Sequence, residues 1–185
     1  MSVVKRYSPA AIALHWAMAL LIVAGFALGL IVAAMPLSPA KFHWIAWHKW
    51  LGVTVLGLLA VRLLVRLLRP APPLPGTMSR PAAAAARLGH LALYALMLAV
   101  PLSGWLMSSA SGFPVVYLKL LPLPDLVAPD EALAASLYAA HQALNWVLAA
   151  TVLGHVAAAF KHQWWDRDGL MARMSPASPR SGDLS

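Results

Sequence analysis

Apolar residues gather in four long stretches, over residues 9–34, 40–69, 80–108 and 129–163. Each exceeds the roughly 20 residues that carry a helix across a bilayer. The punctuation between them is clear. Ser8-Pro9 supplies an N-cap followed by proline at the first helical position, where its missing N–H costs nothing. Met35-Pro36 closes the first stretch, and Arg69-Pro70-Ala71-Pro72-Pro73-Leu74-Pro75-Gly76 closes the second, since such a run cannot continue a helix. Pro101 predicts a kink near the far end of the third. A proline- and glycine-marked loop from Ser108 to Pro129 leads to the fourth, which ends around Lys161-His162. The pattern predicts one four-helix transmembrane domain over 1–174 and a disordered Ser/Pro/Arg-rich tail over 175–185. Val32-Ala33-Ala34 loosely resembles a signal-peptide cleavage site, but the apolar run before it is far longer than a signal core.

Composition agrees. The 185 residues are 61% hydrophobic and only 11% charged, whereas about a quarter of a soluble domain is charged. The fold class is all-α, an integral membrane four-helix bundle. Without cysteine there is no disulfide framework, thiolate zinc site, iron–sulfur cluster or covalently attached haem. Any metal must be held by nitrogen or oxygen. The formal charge of +8 lies beside the apolar runs, so it reads as an orientation signal rather than a nucleic-acid footprint. Lys5, Arg6, Arg62, Arg66, Arg69, Arg80, Arg87, Lys161, Arg167, Arg173 and Arg180 fall on one side; Lys41, Lys49 and Lys119 fall on the other, near Asp125, Asp130 and Glu131. Both termini are therefore expected in the cytoplasm. Trp44, Trp47 and Trp50 outside, and Trp164 and Trp165 inside, suit the two membrane boundaries.

Seven histidines in so apolar a chain require an account, because polar side chains within a bilayer mark pathways or cofactors. His15, His48, His141 and His155 are expected to be buried. His141 and His155 stand 14 residues apart, close to four helical turns, so they share a face about 21 Å apart along the axis. His15 and His155 each lie about two turns from the same side; His48 and His141 lie two to three turns from the other. Two imidazole pairs at two depths are what two bis-histidine haems would require. Two axial ligands leave no open iron position and favour electron transfer. Ala11, Ala13, Gly52, Ala140 and Gly154 are small residues near these histidines that would admit a flat macrocycle. The alternative is that the histidines only hydrogen-bond between helices. A zinc or copper site would instead want its ligands to converge within a few ångströms.

The chain resembles the bacterial, or prokaryotic-type, cytochrome b561 family of small dihaem membrane proteins. The resemblance rests on Ala13-Leu14-His15-Trp16, Trp47-His48-Lys49-Trp50-Leu51-Gly52, Val61-Arg62-Leu63-Leu64-Val65-Arg66, Leu88-Gly89-His90, His141, Leu153-Gly154-His155, and Lys161-His162-Gln163-Trp164-Trp165-Asp166-Arg167-Asp168-Gly169. It covers most of the chain. It implies two haem b groups in the bacterial cytoplasmic membrane, with His15 and His155 ligating the cytoplasmic-side haem and His48 and His141 the periplasmic-side one. It further implies electron exchange with a membrane quinone; superoxide oxidation coupled to ubiquinone reduction is one activity of the family. Under that reading Lys49, with Lys41 and Lys119, would guide the superoxide anion, although interfacial lysines also simply snorkel. His162 becomes a hydrogen-bond or proton partner for ubiquinone, or else an interfacial residue beside Trp164 and Trp165. Arg62 and Arg66 would pair with haem propionates or only set topology. His90 would contact a propionate or the quinone pocket, or bond across helices, and His43 is expected to face solvent.

Two other readings compete. One is a membrane-anchor cytochrome b subunit fed by a soluble dehydrogenase or hydrogenase partner; the outer connection of only about 20 residues favours an autonomous protein. The other is a haem-free transporter or scaffold, which would need intramembrane carboxylates, broken helices or repeats. None is evident in the sequence, nor is a phosphate-binding loop, a Ser/His/Asp set or a nucleic-acid motif. Homo-oligomerisation is left open.

Overall fold

The computed structural model describes residues 6–74 and 78–176. Four helices form the bundle: α1 Pro9–Ala34, α2 Pro39–Leu68, α3 Arg80–Ala110 and α4 Glu131–Lys161. One start signal is used three times. Ser8, Ser38 and Ser79 each cap a helix that carries proline in its first two positions, accepting from Ala11 N, Lys41 N and Ala82 N. At α4 Asp130 Oδ1 accepts from Leu133 N at 2.9 Å instead, and Glu131 adds negative charge where the helix dipole is positive. Helix α3 runs through Pro101 without interruption.

All four helices are long and apolar enough to cross a membrane. Large apolar side chains such as Leu20, Leu67, Leu91 and Leu153 point outward, which is stable only against lipid. Helix α1 packs on α2, α2 on α3 and α3 on α4. Across α1 and α4 two ring pairs approach, Phe26 with Trp146 and His15 with His155. The buried core is small: Met18 on α1, Val55 and Leu59 on α2 and Met97 on α3, flanked by Leu21, Ile22, Leu58, Leu93 and Tyr94. Met18 lies about one turn past His15 on α1, and Val55 and Leu59 lie about two and three turns past His48 on α2, so this core sits at a depth between the two histidines.

Two segments that the sequence marks only as irregular have definite structure. In the α3–α4 connection, Val116–Tyr117 (β1) and Leu121–Pro122 (β2) pair antiparallel in the register Val116↔Pro122 and Tyr117↔Leu121. Leu118 and Lys119 turn with positive φ, 52° and 61°. This hairpin is held to α2 by Trp50 Nε1 donating to Val116 O at 2.8 Å and by the Thr54 and Tyr117 hydroxyls at 3.0 Å. After α4 the chain widens into a π-helical turn, His162–Asp166, and then tightens into a 3-10 turn, Met171–Arg173. The latter returns to the chain's beginning: Tyr7 N donates to Arg173 O, Trp16 Nε1 to Met174 O at 2.9 Å, and Arg6 to Ser175 O. Both ends of the described chain thus lie at one end of the bundle. Ser175 and Pro176 are placed; the disorder expected of the rest of the tail falls on residues 177–185, outside the described residues, as do Lys5, Arg180 and positions 75–77 of the proline-rich link.

Candidate functional site

The helices bring four histidines together in two pairs. At the end where the termini meet, the rings of His15 (α1) and His155 (α4) have centroids 6.2 Å apart and planes inclined by 67°. At the other end His48 (α2) and His141 (α4) are also 6.2 Å apart, at 86°. A metal ion bound by one nitrogen of each of two facing imidazoles, at about 2 Å per bond, sets ring centres about 6 Å apart. The separation therefore suits a shared iron and is too long for a direct imidazole–imidazole hydrogen bond.

The tautomer of His141 follows from its neighbours. Its Nδ1 lies 3.0 Å from Val100 O and 3.0 Å from Ser103 Oγ on α3. A carbonyl only accepts, so Nδ1–H donates to it and Nε2 keeps its lone pair, the form in which imidazole ligates a metal. Ser103 Oγ–H also donates to Val100 O, at 2.7 Å. His48 Nδ1 is buried and closes no hydrogen bond among the described residues.

Two glycines make these ring positions possible. A Cβ on Gly29 would lie 3.1 Å from His48 Cε1, and one on Gly104 would lie 3.0 Å from His141 Cε1. Neither position stands beside a histidine in sequence, so the sequence offers no sign of their role. The small residues that sequence adjacency suggested sit differently. A Cβ on Gly52 would lie 3.6 Å from Pro101 Cβ, an ordinary contact, and a Cβ on Gly154 would meet nothing within 4 Å.

The four histidines are not buried as the sequence reading expected. All are partly accessible, because each ring projects into the space between helices instead of into the Met18–Val55–Leu59–Met97 core. His90 is exposed and approaches His155 to 5.5 Å, which gives the terminal end a third imidazole. His43 is exposed and accepts from Trp47 Nε1 at 3.1 Å.

Arg62 reaches into the His15 level. Its Nη2 lies 3.5 Å from His15 Nδ1, Nε donates to Tyr94 OH at 3.1 Å, and Nη1 is buried with no partner among the described residues. Arg66 lies over the Tyr94 ring at 5.8 Å. With Arg69, Tyr7, Ala11 and Met174 these side chains line a small pocket. An unpaired guanidinium N–H is costly in such a place and suits a carboxylate of a bound group. Together with the bare Nε2 of His141 and the glycine clearances, these residues fit an iron porphyrin with carboxylate side chains.

Lys49 Nζ donates to Phe113 O at 3.0 Å and Lys41 Nζ to Met35 O at 2.8 Å. Both ammonium groups are thus held on loop carbonyls at the His48/His141 end, while Lys119 is exposed at the hairpin tip. On the π turn at the opposite end, His162 Nδ1 lies 2.7 Å from Asp168 Oδ2 and 3.0 Å from Asp166 Oδ2, and Lys161 Nζ pairs with Asp166 at 2.7 Å.

Residues 6–177 match a family model described as prokaryotic cytochrome b561. The chain is 34% identical over 172 residues to cytochrome b561 homolog 2 of Escherichia coli (strain K12), an alignment covering 92% of this chain and 91% of that protein. It is 26% identical over 176 residues to a probable superoxide oxidase CybB of Yersinia pestis, covering 93% and 97%.

Proposed function

The chain belongs to the prokaryotic cytochrome b561 family, haem b proteins of membrane electron transfer, and on that premise we propose that it oxidises superoxide and reduces ubiquinone on opposite sides of the bacterial cytoplasmic membrane. The observation that carries this reading is the repeated 6.2 Å separation of two histidine pairs at two levels. His15 and His155 would hold one haem b, and His48 and His141 a second. When bound, haem b would supply reversible one-electron chemistry, held by one histidine from each helix of a pair.

The protein's own groups then divide the work. The excess of basic residues supports an orientation with the His15/His155 end in the cytoplasm and the His48/His141 end in the periplasm. At the outer end Lys49, fixed against Phe113 O, and Lys119 at the hairpin tip would offer local positive charge to the superoxide anion. At the inner end Arg62 would bind a haem propionate through Nη1, with Arg66 beside it and His90 facing the same level. Quinone reduction consumes protons, and His162 is an imidazole placed among Trp164 and Trp165, which are 65% and 86% exposed and suited to the lipid boundary. Two superoxide anions give two molecules of oxygen; one quinone takes up two electrons and two protons to become quinol. The outer connection lies folded against α2 rather than projecting as a docking arm, which supports an autonomous oxidoreductase over a subunit serving a soluble dehydrogenase.

The test is a pyridine haemochrome assay on purified protein, followed by addition of enzymatically generated superoxide and a soluble ubiquinone analogue. We expect about two b haems per chain, from four axial ligands, and one quinol for every two superoxide consumed. A colourless preparation despite ample porphyrin, or no quinol formed by fully haem-loaded protein, would overturn the proposal.

A further inference from the structure

The π turn that ends α4 has geometry that ligand counting leaves unused. An α-helix continued through residue 168 would carry Asp168 six residues past His162, off its face of the helix. Instead His162–Asp166 forms a π turn, and Arg167 takes a left-handed conformation at φ 48°. The backbone wraps around the His162 carbonyl, which accepts from Arg167 N and, at 3.4 Å, from Asp168 N. Asp168 is thereby turned back onto the imidazole, its Oδ2 2.7 Å from Nδ1, with Asp166 Oδ2 at 3.0 Å. His162 Nδ1 closes no aligned hydrogen bond among the described residues, so its contacts to the two carboxylates are electrostatic. A nitrogen lone pair facing two carboxylate oxygens at these distances would be repelled, so Nδ1 carries the ring proton and Nε2 is the nitrogen available elsewhere.

The two carboxylates are not equivalent. Asp166 already pairs with Lys161, and its side chain is 33% exposed; Asp168 is 13% exposed, and its Oδ1 accepts from Leu170 N at 3.0 Å, which fixes the carboxylate in place. We propose that Asp168 is a positioning residue for quinone reduction: it locks His162 in the Nδ1–H tautomer, so that Nε2 takes protons from cytoplasmic water and hands them to the quinone oxygens. The inference rests on the ubiquinone reading above. In each transfer the Nε2–H bond breaks as a quinone O–H bond forms, and water restores the proton to Nε2. The two electrons are those delivered by superoxide. While the ring carries the extra proton, the adjacent carboxylate offsets its charge, as the aspartate does for the histidine of a serine-protease triad.

Asp168→Asn is the informative variant, because its amide oxygen still accepts from Leu170 N while its NH2 donates to His162 Nδ1 and drives the ring proton to Nε2. Turnover with the soluble ubiquinone analogue should fall at least tenfold, with haem content and dithionite reduction unchanged. Nitrogen-15 spectra of histidine-labelled protein, assigned with His162→Gln, should show the proton moved from Nδ1 to Nε2. Asp166→Asn should lose less than threefold, and Asp168→Glu should recover part of the rate. Unchanged turnover or an unchanged tautomer in Asp168→Asn overturns this inference alone. So does a loss accompanied by loss of haem, which would make Asp168 merely structural. Failure of the unaltered protein to reduce the quinone analogue overturns the functional reading and this inference with it.

Discussion

The ring of His141 lies directly over Gly104 of α3, so close that a Cβ there would stand 3.0 Å from its Cε1. The same helix supplies Val100 O, the acceptor for the ring's Nδ1–H. Helix α3 contributes no member of the two pairs, yet it fixes where His141 points. Gly104→Val must push the imidazole away from this carbonyl. We expect it to remove about half the haem while leaving the His15/His155 level loaded, as read by the haemochrome assay. Gly104→Ala and Gly29→Ala, which demand shifts of only a few tenths of an ångström, should keep the haem and alter its electron paramagnetic resonance signal.

Each pair joins α4 to a different helix, α1 through His15 and α2 through His48, and the Met18–Val55–Leu59–Met97 core lies between the two levels. His141→Ala and His155→Ala should therefore each lower haem from about two per chain to about one, and the double variant should be colourless. His90→Ala should retain both haems, since His15 and His155 already face each other. Unchanged haem in both single variants would refute the ligand assignment.

Arg62 places a permanent positive charge 3.5 Å from His15 Nδ1. A nearby cation disfavours the oxidised, more positive form of a redox centre, so Arg62→Gln should lower the midpoint potential of the haem at that level. The shift should be roughly 40 mV, corresponding to about 1 kcal/mol for a partly solvated charge. Redox titration should show the second centre unmoved, and Arg66→Gln should have the smaller effect.

Lys49→Gln retains a donor for Phe113 O but loses the charge. We expect the rate constant for superoxide at low ionic strength to fall several-fold and its salt dependence to flatten, with haem content unchanged. Stopped-flow reduction at two salt concentrations measures both. An unaltered salt dependence would mean that Lys49 does not guide the anion.

Deleting residues 173–185 removes the acceptors for Tyr7 N, Trp16 Nε1 and Arg6, and the bond from Arg173 Nη1 to Pro73 O at 2.6 Å. At about 1 kcal/mol for a neutral bond and about 2 for a charged one, the loss should be at most about 6 kcal/mol. Thermal haem release should begin several degrees lower. Because Trp16 adjoins His15, the haem at that level should leave first.

The four spans were legible from composition and length, since lipid accommodates so many consecutive apolar side chains, and Ser8-Pro9 marks where the first helix begins. His141 and His155 could be placed on one face by helical arithmetic, and the depths of His15 and His48 followed from counting turns. Tertiary structure decided what counting cannot reach. Only the packing of α1 and α3 reveals Gly29 and Gly104 as the clearances for His48 and His141, because those contacts join residues far apart in the chain. Only the folded connection shows Lys49 held by Phe113 O, and only the π turn brings Asp168 back to His162. A sequence carries the period of each helix, but the facing of one helix on another is set by side chains meeting across the bundle, and there glycine, carbonyl and carboxylate acquire their roles.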